Sequence, residues 1–431
     1  MNTKRLTIFA IVLSAFVVER TFAQGVETVD VLADPSGPAE EAPTGFDGVS
    51  NGLVDAATHE EDLEAFDGAE EIDEGLGPLY NAQACRECHQ SPISGAASQI
   101  TELRVGHFGR SGRFVNPSIP IDNGNETIRG RSLVSDRAIC PNRDFPNVHL
   151  QQRVPASETI STERLSISTL GDGFIEAIPS RTIQQIAADQ CRRSRSSICG
   201  EVVLVPVLEA EGRMRVGRFG WKGQHASLIS FSADAYLNEM GITSDLLPAD
   251  VTTLCDTVAD PEDTVDADGF GDVDRFARFI RATQAPARDP ARARDPDALE
   301  GELRFEQIGC VTCHVSSLVT AAAGSVVNAG AFTVPAALGN KRIHPYSDFL
   351  LHDVGTGDGI VQNGGQRTAR RLRTPPLWGL RTRGRLMHDG ASVTLEGAIA
   401  RHRGEASGVI ESFNRLRPGE RQQIVVFLNS L

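Results

Sequence analysis

The sequence contains two copies of the pattern C-x-x-C-H, and this repeat constrains the chain more than any other feature. The copies read CRECH at residues 85–89 and CVTCH at residues 310–314. Two thiols separated by two residues can both bond to one edge of a porphyrin, and the adjacent histidine can then ligate the iron. We therefore expect two covalently bound haem c groups. The residues that would hold them are Cys85, Cys88, His89, Cys310, Cys313 and His314.

Zinc ribbons and redox-active dithiols also use paired cysteines. A zinc ribbon places its two pairs close together, whereas Cys88 and Cys310 are far apart in this chain. Neither alternative explains a histidine directly after each pair. The spacing therefore favours haem attachment.

The first residues have the pattern of a secretory signal peptide. The basic start MNTKR precedes an apolar run from Leu6 to Val18, and a cleavage site after Ala23 fits the sequence TFAQ. The run is too short to span a bilayer, and no later segment approaches transmembrane length. We predict that residues 1–23 are removed and that the mature protein is periplasmic or secreted, without a membrane span.

Four further cysteines lie outside the two motifs, at Cys140, Cys191, Cys199 and Cys255. An even number in an oxidising compartment predicts two disulfides. Cys191 and Cys199 close a short loop and form the first predicted pair, which leaves Cys140 with Cys255. Buried free thiols are the alternative.

The formal net charge of −15 limits the partners of the chain. Such an acidic protein is unsuited to nucleic acid, so we predict no nucleic-acid partner. A protein partner with a basic patch would be attracted to it.

Changes in composition divide the mature chain into four parts. Residues 24–73 are acidic and poor in periodic apolar residues, which predicts an extended or loosely packed arm. A proline-punctuated charged stretch at 285–298 predicts a linker. The remaining parts, residues 74–284 and 299–431, would be two domains with one haem motif each.

Apolar spacing predicts three helices and one hairpin. The hairpin is expected within EVVLVPVLEAEGRMRVGRFGW, starting at Glu201. The helices precede the second motif, cover DVDRFARFIRAT and close the chain. Their predicted apolar faces are, in that order, Leu299, Leu303 and Ile308, with Phe305 beside them; Val273, Phe276 and Ile280; and Ile424, Phe427, Leu428 and Leu431.

The sixth coordination position of each iron decides what each haem can do. A methionine opposite the histidine closes the site and raises the potential, whereas an open position permits chemistry on peroxide or dioxygen. Met387 lies in the same predicted domain as the second motif, so we expect it to ligate that iron. His388, the next residue, is the direct competitor, and a core role for Met387 is the alternative.

Several motifs recur in the order of a known family. They read CRECH, GFIEAIP (173–179), GRFGWKGQ (217–224), NEMGIT (238–243), RFARFIRA (275–282), GCVTCH, LLHDVG (350–355), RTPPLWGL (373–380) and MHDGAS. From about residue 68 to the end, the chain resembles the di-haem c-type oxidoreductase family, and it is more distantly similar to bacterial di-haem cytochrome c peroxidases.

The resemblance implies a mainly α fold of two cytochrome c-like helical domains, the first with a long loop and short-strand insertion. It implies that electrons from a small donor protein, a cytochrome c or a cupredoxin-like protein, enter at a C-terminal haem held by His314 and Met387. They would then reduce peroxide or another small oxidant at an N-terminal haem held by His89. The family more often has leucine at the position of Met387, so this ligand departs from the usual pattern.

Several residues are candidates for the sixth ligand or for the proton donor at the first haem. Met240 and His107 could ligate the iron, with core and surface roles as the respective alternatives. Cleavage of peroxide also needs a group that moves a proton. Glu176 is the predicted acid–base residue, because burial among apolar neighbours would raise its pKa. A solvated glutamate is the alternative.

A tryptophan between the haems could mediate electron transfer, as in the related enzyme that matures a tryptophan-derived cofactor. Trp221 is the predicted relay and Trp378 the other candidate, although both could be core anchors.

The acidic stretch DADGFGDVD, residues 266–274, partly matches a calcium-binding loop, and the peroxidase relatives hold calcium between their haems. It has Phe270 at the fifth position and Ala277 at the twelfth, so capping of the following helix by Asp272 or Asp274 is favoured.

Three functions remain open from the sequence. The first is the di-haem oxidoreductase that reduces peroxide or another small oxidant. The second is a non-enzymatic electron carrier, and the third is an enzyme that oxidises a protein or organic substrate.

Overall fold

The computed structural model of the chain describes residues 29–121, 126–145 and 148–431. The predicted signal peptide lies outside the described residues. The α-helices are α1 (Ala56–Asp67), α2 (Cys85–Cys88), α3 (Asp172–Glu176), α4 (Ser180–Arg193), α5 (Leu228–Ala235), α6 (Asp272–Ala282), α7 (Pro296–Gln307), α8 (Leu395–Ala400), α9 (Ser407–Arg415) and α10 (Pro418–Leu428). The strands are β1 (Glu40–Glu41), β2 (Leu79–Tyr80), β3 (Thr101–Phe108), β4 (Phe114–Val115), β5 (Ser118–Pro120), β6 (Thr127–Arg129), β7 (Leu133–Val134), β8 (Arg137–Ala138), β9 (Ile160–Leu165), β10 (Leu204–Val207), β11 (Arg213–Val216), β12 (Leu318–Val319), β13 (Val326–Val327), β14 (Phe332–Thr333), β15 (Lys341–Ile343), β16 (Leu351–His352) and β17 (Leu372–Arg373).

The predicted mainly α fold of two cytochrome c-like helical domains is wrong. The described chain is 31% helical and 17% strand, with many small sheets. The sequence has 41 glycines and 22 prolines, which interrupt both helices and strands. The resulting two- and three-residue strands have no alternating pattern long enough to be recognised in the sequence.

The longest strand pairing joins β3 to β9. These strands run antiparallel, with Thr101 opposite Leu165 and Gly106 opposite Ile160. The predicted hairpin is confirmed, since β10 and β11 pair antiparallel from Leu204 opposite Val216. A three-stranded sheet of order β1–β15–β12 ties an N-terminal strand to the C-terminal part of the chain.

The largest apolar cluster forms around α3, α5 and α6, and it crosses the predicted linker. Phe174 and Phe276 from the N-terminal side belong to the same cluster as Leu338, Ile343 and Phe349 from the C-terminal side. The predicted domain boundaries stay predictions. A second cluster packs α7 against α10 through Phe305 and Phe427.

The three predicted helices exist as α7, α6 and α10, but the predicted face of α7 is wrong at Leu299 and Leu303. These two residues are each 50% exposed, whereas Phe305, expected beside them, is buried. Gly301 decides this orientation, because a Cβ there would lie 1.9 Å from the carbonyl oxygen of Gln423. The backbone of α7 thus approaches α10 through its glycine. The predicted faces of α6 and α10 are buried as expected.

The structure differs from the predicted extended arm in its second half. Helix α1 occupies Ala56–Asp67, and Phe66 from this helix is buried in the largest cluster. Asp62 on the same helix accepts two hydrogen bonds of 2.7 Å from Arg278 of α6. The Asp62–Arg278 ion pair and buried Phe66 stabilise α1 against the rest of the protein. Its apolar residues have little helical periodicity, so the sequence did not predict it.

The disulfides Cys191–Cys199 and Cys140–Cys255 are confirmed. Among the helices that the structure describes, none is long and apolar enough to cross a membrane.

Candidate functional site

The first C-x-x-C-H motif forms the short helix α2 and the residue after it. Cys85 and Cys88 are free thiols, so both are available for thioether bonds. The Nδ1 atom of His89 lies 3.2 Å from the carbonyl oxygen of Ala96. Because a carbonyl only accepts, Nδ1 carries the proton and the Nε2 lone pair is left for a metal. Exclusion of water lowers the pKa of His89 to about 4, which keeps the ring neutral.

The second motif has the same arrangement in a different local structure. Cys310 begins a 3-10 turn after α7, and Cys310 and Cys313 are also free thiols. The His314 Nδ1 atom lies 3.0 Å from the Tyr346 carbonyl oxygen, so its Nε2 is likewise available. Loss of solvent is the main reason that the pKa of His314 falls to about 4. Both motifs therefore present two thiols and one oriented, neutral imidazole, which fits haem c.

A cavity of about 520 Å³ adjoins the second motif, within the range of small-molecule and cofactor sites. It extends to Gln90 and Ser91, directly after the first motif. The side chains around it that bear on metal or haem binding are Cys310, Cys313, His314, His352, Met387, His388, His402, Trp221, Arg373 and Arg383.

Two arginines beside this cavity were missed by the sequence analysis. Arg383 donates to the carbonyl oxygens of Pro376 and Trp378. Burial lowers the pKa of Arg383 and of Arg373 to about 10 each, and both still remain charged at neutral pH. Cations next to an apolar cavity suit a ligand with carboxylates, and haem carries two propionates.

The predicted ligand Met387 and its competitor His388 both line the cavity. His388 is 4% exposed and its Nδ1 atom has no hydrogen-bond partner among the described residues. Its ring lies edge-on to Trp221, with 6.0 Å between ring centroids. The structure brings both candidates to the second motif, and the ligand assignment remains a prediction.

The predicted relay Trp221 lies in the wall of the same cavity. Its Nε1–H donates to the Leu165 carbonyl oxygen at 2.8 Å, and the Leu165 amide donates to the His388 carbonyl oxygen at 2.7 Å. Trp221 is thereby fixed against the segment that carries Met387 and His388. Trp378 is instead part of the largest apolar cluster.

Glu176 does not have the raised pKa that selected it as an acid–base residue. Burial raises its pKa, but Arg281 together with the hydrogen bonds from the Leu228 amide and Asn328 outweighs that effect and holds the pKa below the usual value. Its carboxylate accepts from Arg281 at 2.6 and 3.0 Å, from the Leu228 amide at 2.8 Å and from Asn328 at 2.8 Å. These contacts anchor α3 to α6. Its catalytic role stays a prediction.

Glu239 is the acid that the sequence analysis missed, and it lies beside the first motif. Its carbonyl oxygen accepts from the Asn81 and Ala82 amides, and its carboxylate accepts from the Asn81 side chain at 2.8 Å. Burial, followed by repulsion from Glu102, raises its pKa to about 8. The available signal was its place in the motif NEMGIT, directly before Met240.

Met240 and His107 occupy different surroundings. Met240 is buried at the end of a π-helical turn, Tyr236–Met240, and its carbonyl oxygen accepts from the Gly77 amide. His107 on β3 is partly exposed, and its Nδ1 atom lies 2.8 Å from the Glu158 carboxylate.

The acidic stretch at 266–274 is engaged by protein groups. Asp266 pairs with Arg275, and Asp274 accepts from the Gly271 amide at 3.3 Å as a cap of α6. The favoured capping role of Asp274 is confirmed, and calcium stays a prediction.

Comparisons with known proteins agree with these motifs. The profile of the family described as "Di-haem oxidoreductase, putative peroxidase" matches residues 147–431. No protein of curated function matches the chain.

Solved structures give a weaker likeness. Hydrazine synthase of Kuenenia stuttgartiensis, pressurised with xenon, aligns over 100% of both chains with 12% identity and a TM-score of 0.38. A variant of the diheme peroxidase BthA from Burkholderia thailandensis aligns over 94% of this chain and 92% of its own, with 13% identity and a TM-score of 0.38. Unmodified BthA aligns over 94% and 95%, with 12% identity and a TM-score of 0.33. The family match covers most of the chain, including the second haem-attachment motif, and on that basis the chain belongs to the di-haem oxidoreductase family.

Proposed function

We propose that this protein is a periplasmic di-haem c-type oxidoreductase. Electrons from a small donor protein enter at the haem of Cys310, Cys313 and His314, and peroxide or another small oxidant is reduced at the haem of Cys85, Cys88 and His89. When bound, the haems supply the two electrons that reduction of peroxide to two waters requires.

The observation that carries the proposal is the position and proton affinity of Glu239. Its hydrogen bonds hold it against the segment Asn81–Ala82, three residues before the first motif. With a pKa raised to about 8 by burial, it carries a proton at neutral pH. A positioned acid of this kind can deliver a proton to the oxygen that leaves when the peroxide bond breaks.

The second motif supports the electron-transfer role. His314 is surrounded by the apolar cavity, and the arginines beside it are charged at neutral pH. The described groups at this cavity include no carboxylic acid with a raised pKa that touches His314. The group that holds a proton there is His352, whose pKa Asp348 raises well above the usual value despite burial and whose Nδ1 atom lies 3.9 Å from the Cys313 Sγ atom. The proton-holding groups are therefore carboxylic acids near the first motif and an imidazole near the second.

The test uses the mature protein with both haems attached, reduced by one electron. We expect the first haem to give a high-spin signal that disappears on addition of peroxide. Glu239→Gln should lower the rate of peroxide consumption by roughly 10²–10⁴-fold, the usual contribution of a general acid. Glu64→Gln, on the exposed face of α1, is the matched control and should leave the rate unchanged.

Two low-spin haems that do not respond to peroxide after half-reduction would contradict the proposal and support an electron carrier. Consumption of peroxide only in the presence of an organic or protein substrate would support the third function. An unchanged rate in Glu239→Gln would remove Glu239 from the chemistry.

A further inference from the structure

One side of the second haem site carries a cluster of exposed arginines. They lie on three segments, which are the loop closed by the Cys191–Cys199 disulfide, the 3-10 turn Gln366–Arg370 and the residues after α8. The three of them that form ion pairs have side chains that are 77%, 71% and 81% exposed. We call this cluster the arginine patch, and its members are Arg192, Arg193, Arg195, Arg367, Arg370 and Arg403.

The neighbouring Arg371 joins the three segments into one surface. It donates to the Cys199 carbonyl oxygen at 3.3 Å and to the Glu405 carboxylate at 2.8 Å, so the disulfide loop, the turn and the residues after α8 meet at its side chain. Arg367 of the same turn pairs with Glu201, two residues after the disulfide loop. The arginines of the patch are therefore neighbours in space, although they are far apart in the sequence.

The carboxylates that pair with the patch or with Arg371 are mostly covered. The side chains of Glu201, Asp353 and Glu405 are 10%, 27% and 14% exposed, and only Asp189 of this set is well exposed, at 52%. The outward-facing charge is therefore positive on a chain whose net charge is −15. Among the described residues, the members of the patch that form no ion pair are Arg193, Arg195 and Arg403.

The patch borders the cavity of the second motif. Ile198, three residues after Arg195, lines that cavity, and so does Ala406, three residues after Arg403. Val354 lines it as well, and its carbonyl oxygen accepts a hydrogen bond of 2.8 Å from the Arg403 amide. A molecule bound at the patch would therefore lie beside the site where electrons are proposed to enter.

We propose that the arginine patch is the docking surface of the electron donor, and that the donor is a small acidic protein with carboxylates around its redox centre. Guanidinium groups pair with carboxylates through two parallel hydrogen bonds, and charge complementarity raises association rates by about 10–10³-fold. The net charge of the chain predicts a basic partner, but the local charge beside the second motif has the opposite sign. An anionic membrane would also attract arginines, but it carries no electron to deliver. The inference rests on the proposed function and adds the class of donor, which loses one electron to the second haem.

The test uses the haem-loaded protein with reduced flavodoxin, a small acidic redox protein, as the probe donor. Stopped-flow absorbance gives the second-order rate constant for reduction of the second haem. Raising the salt concentration from about 20 to about 500 mM should lower the wild-type rate constant about 10-fold or more, because salt screens charge attraction. The patch variant, which combines Arg193→Gln, Arg195→Gln and Arg403→Gln, should react about 10-fold more slowly at low salt and as fast as the wild type at high salt.

A matched control variant removes the same charge from three other segments. It combines Arg143→Gln, Arg294→Gln and Arg415→Gln, all at exposed arginines, and should keep the wild-type rate within about twofold. Photoreduced lumiflavin is uncharged and should reduce all three proteins at one rate, so a loss with flavodoxin alone reports docking. Binding of oxidised flavodoxin, measured by titration calorimetry at low salt, should weaken only in the patch variant.

A wild-type rate that rises with salt, or does not change with it, overturns the inference. An equal loss of rate in the patch and control variants also overturns it, because net charge would then account for the effect. Binding to phosphatidylglycerol vesicles that is lost in the patch variant, with an unchanged flavodoxin rate, would assign the patch to a membrane instead. These three outcomes leave the proposed function intact, whereas arrival of the electron at the first haem before the second would refute both.

Discussion

Replacement of Glu176 by alanine tests whether this residue is structural. The variant removes four buried hydrogen-bond acceptor contacts, two of them to Arg281. Glu176 is 0% exposed and the Arg281 side chain is 13% exposed, so the arginine would be left almost buried without its counter-charge. Breaking one side of a buried pair costs about 3–5 kcal/mol, and we expect a loss in that range.

The assay is urea unfolding of the haem-loaded protein, with haem content measured in parallel. Glu64→Ala removes an exposed glutamate from α1 and should change the free energy of unfolding by less than about 0.5 kcal/mol. If Glu176→Ala is as stable as the wild type, the structural reasoning is wrong. If it is stable but no longer reduces peroxide, the residue belongs to the chemistry instead.

The same residue gives a pH dependence with a defined sign. Arg281 and the other donors hold the folded-state pKa of Glu176 below its ordinary value, against the effect of burial. The stabilisation of the folded protein by ionised Glu176 is therefore fully present above the unfolded-state pKa of about 4.3. It is lost as the pH falls through the lower pKa that Glu176 has in the folded protein. The stability difference between wild type and Glu176→Gln should be constant near neutral pH and shrink on acidification. A difference that grows on acidification would contradict this.

Three further predictions concern packing, cross-links and the relay. Gly301→Ala should destabilise the protein by about 1–3 kcal/mol in urea unfolding, because the added Cβ would lie 1.9 Å from the Gln423 carbonyl oxygen. As the control, Gly419→Ala on α10 adds a Cβ with no atom within 4 Å among the described residues and should cause no loss of stability. Replacing Cys140 and Cys255 by alanine removes a cross-link between residues 115 positions apart and should lower the free energy of unfolding by roughly 4–5 kcal/mol. Replacing Cys191 and Cys199, which are 8 positions apart, should lower it by roughly 2.5 kcal/mol. Equal losses would contradict the chain-entropy reasoning. Trp221→Phe should slow the peroxide-driven oxidation of the second haem, followed by stopped-flow absorbance, and an unchanged rate would exclude Trp221 as the relay.

The features that could be predicted from the sequence depend on neighbouring residues or on the chemistry of a side chain. The C-x-x-C-H motifs fix which atoms can hold a haem, and the disulfide pairs followed from cysteine number and one short loop. The face of α10 was clear because its apolar residues recur at helical spacing. The face of α7 was not, because a glycine that allows close helix contact leaves no apolar signal.

The parts of the site that could not be predicted depend on contacts between residues that are far apart in the sequence. Glu176 was chosen because it lies among apolar residues, but burial raises a carboxyl pKa only where no cation compensates it. The cation, Arg281, is 105 positions away in sequence. His402 was not predicted for the same reason, since a single histidine outside any motif gives no sign in the sequence that its ring lies 6.4 Å from that of His314.

The two motifs differ in proton supply although their immediate residues are alike. Near the first, burial raises the pKa of Glu239 to about 8 and that of Glu70 to about 7, so both acids can hold protons at neutral pH. Near the second, exclusion of water lowers the pKa values of His314 and His402, so these rings are neutral, whereas Asp348 raises the pKa of His352 beside Cys313, so that ring is charged. Reduction of peroxide to water consumes two protons, which buried carboxylic acids would supply at the first motif and the His352 imidazolium could supply at the second. Proton supply alone therefore does not separate the two haems, and the proposed division between chemistry and electron transfer depends on the ligands that close the second iron.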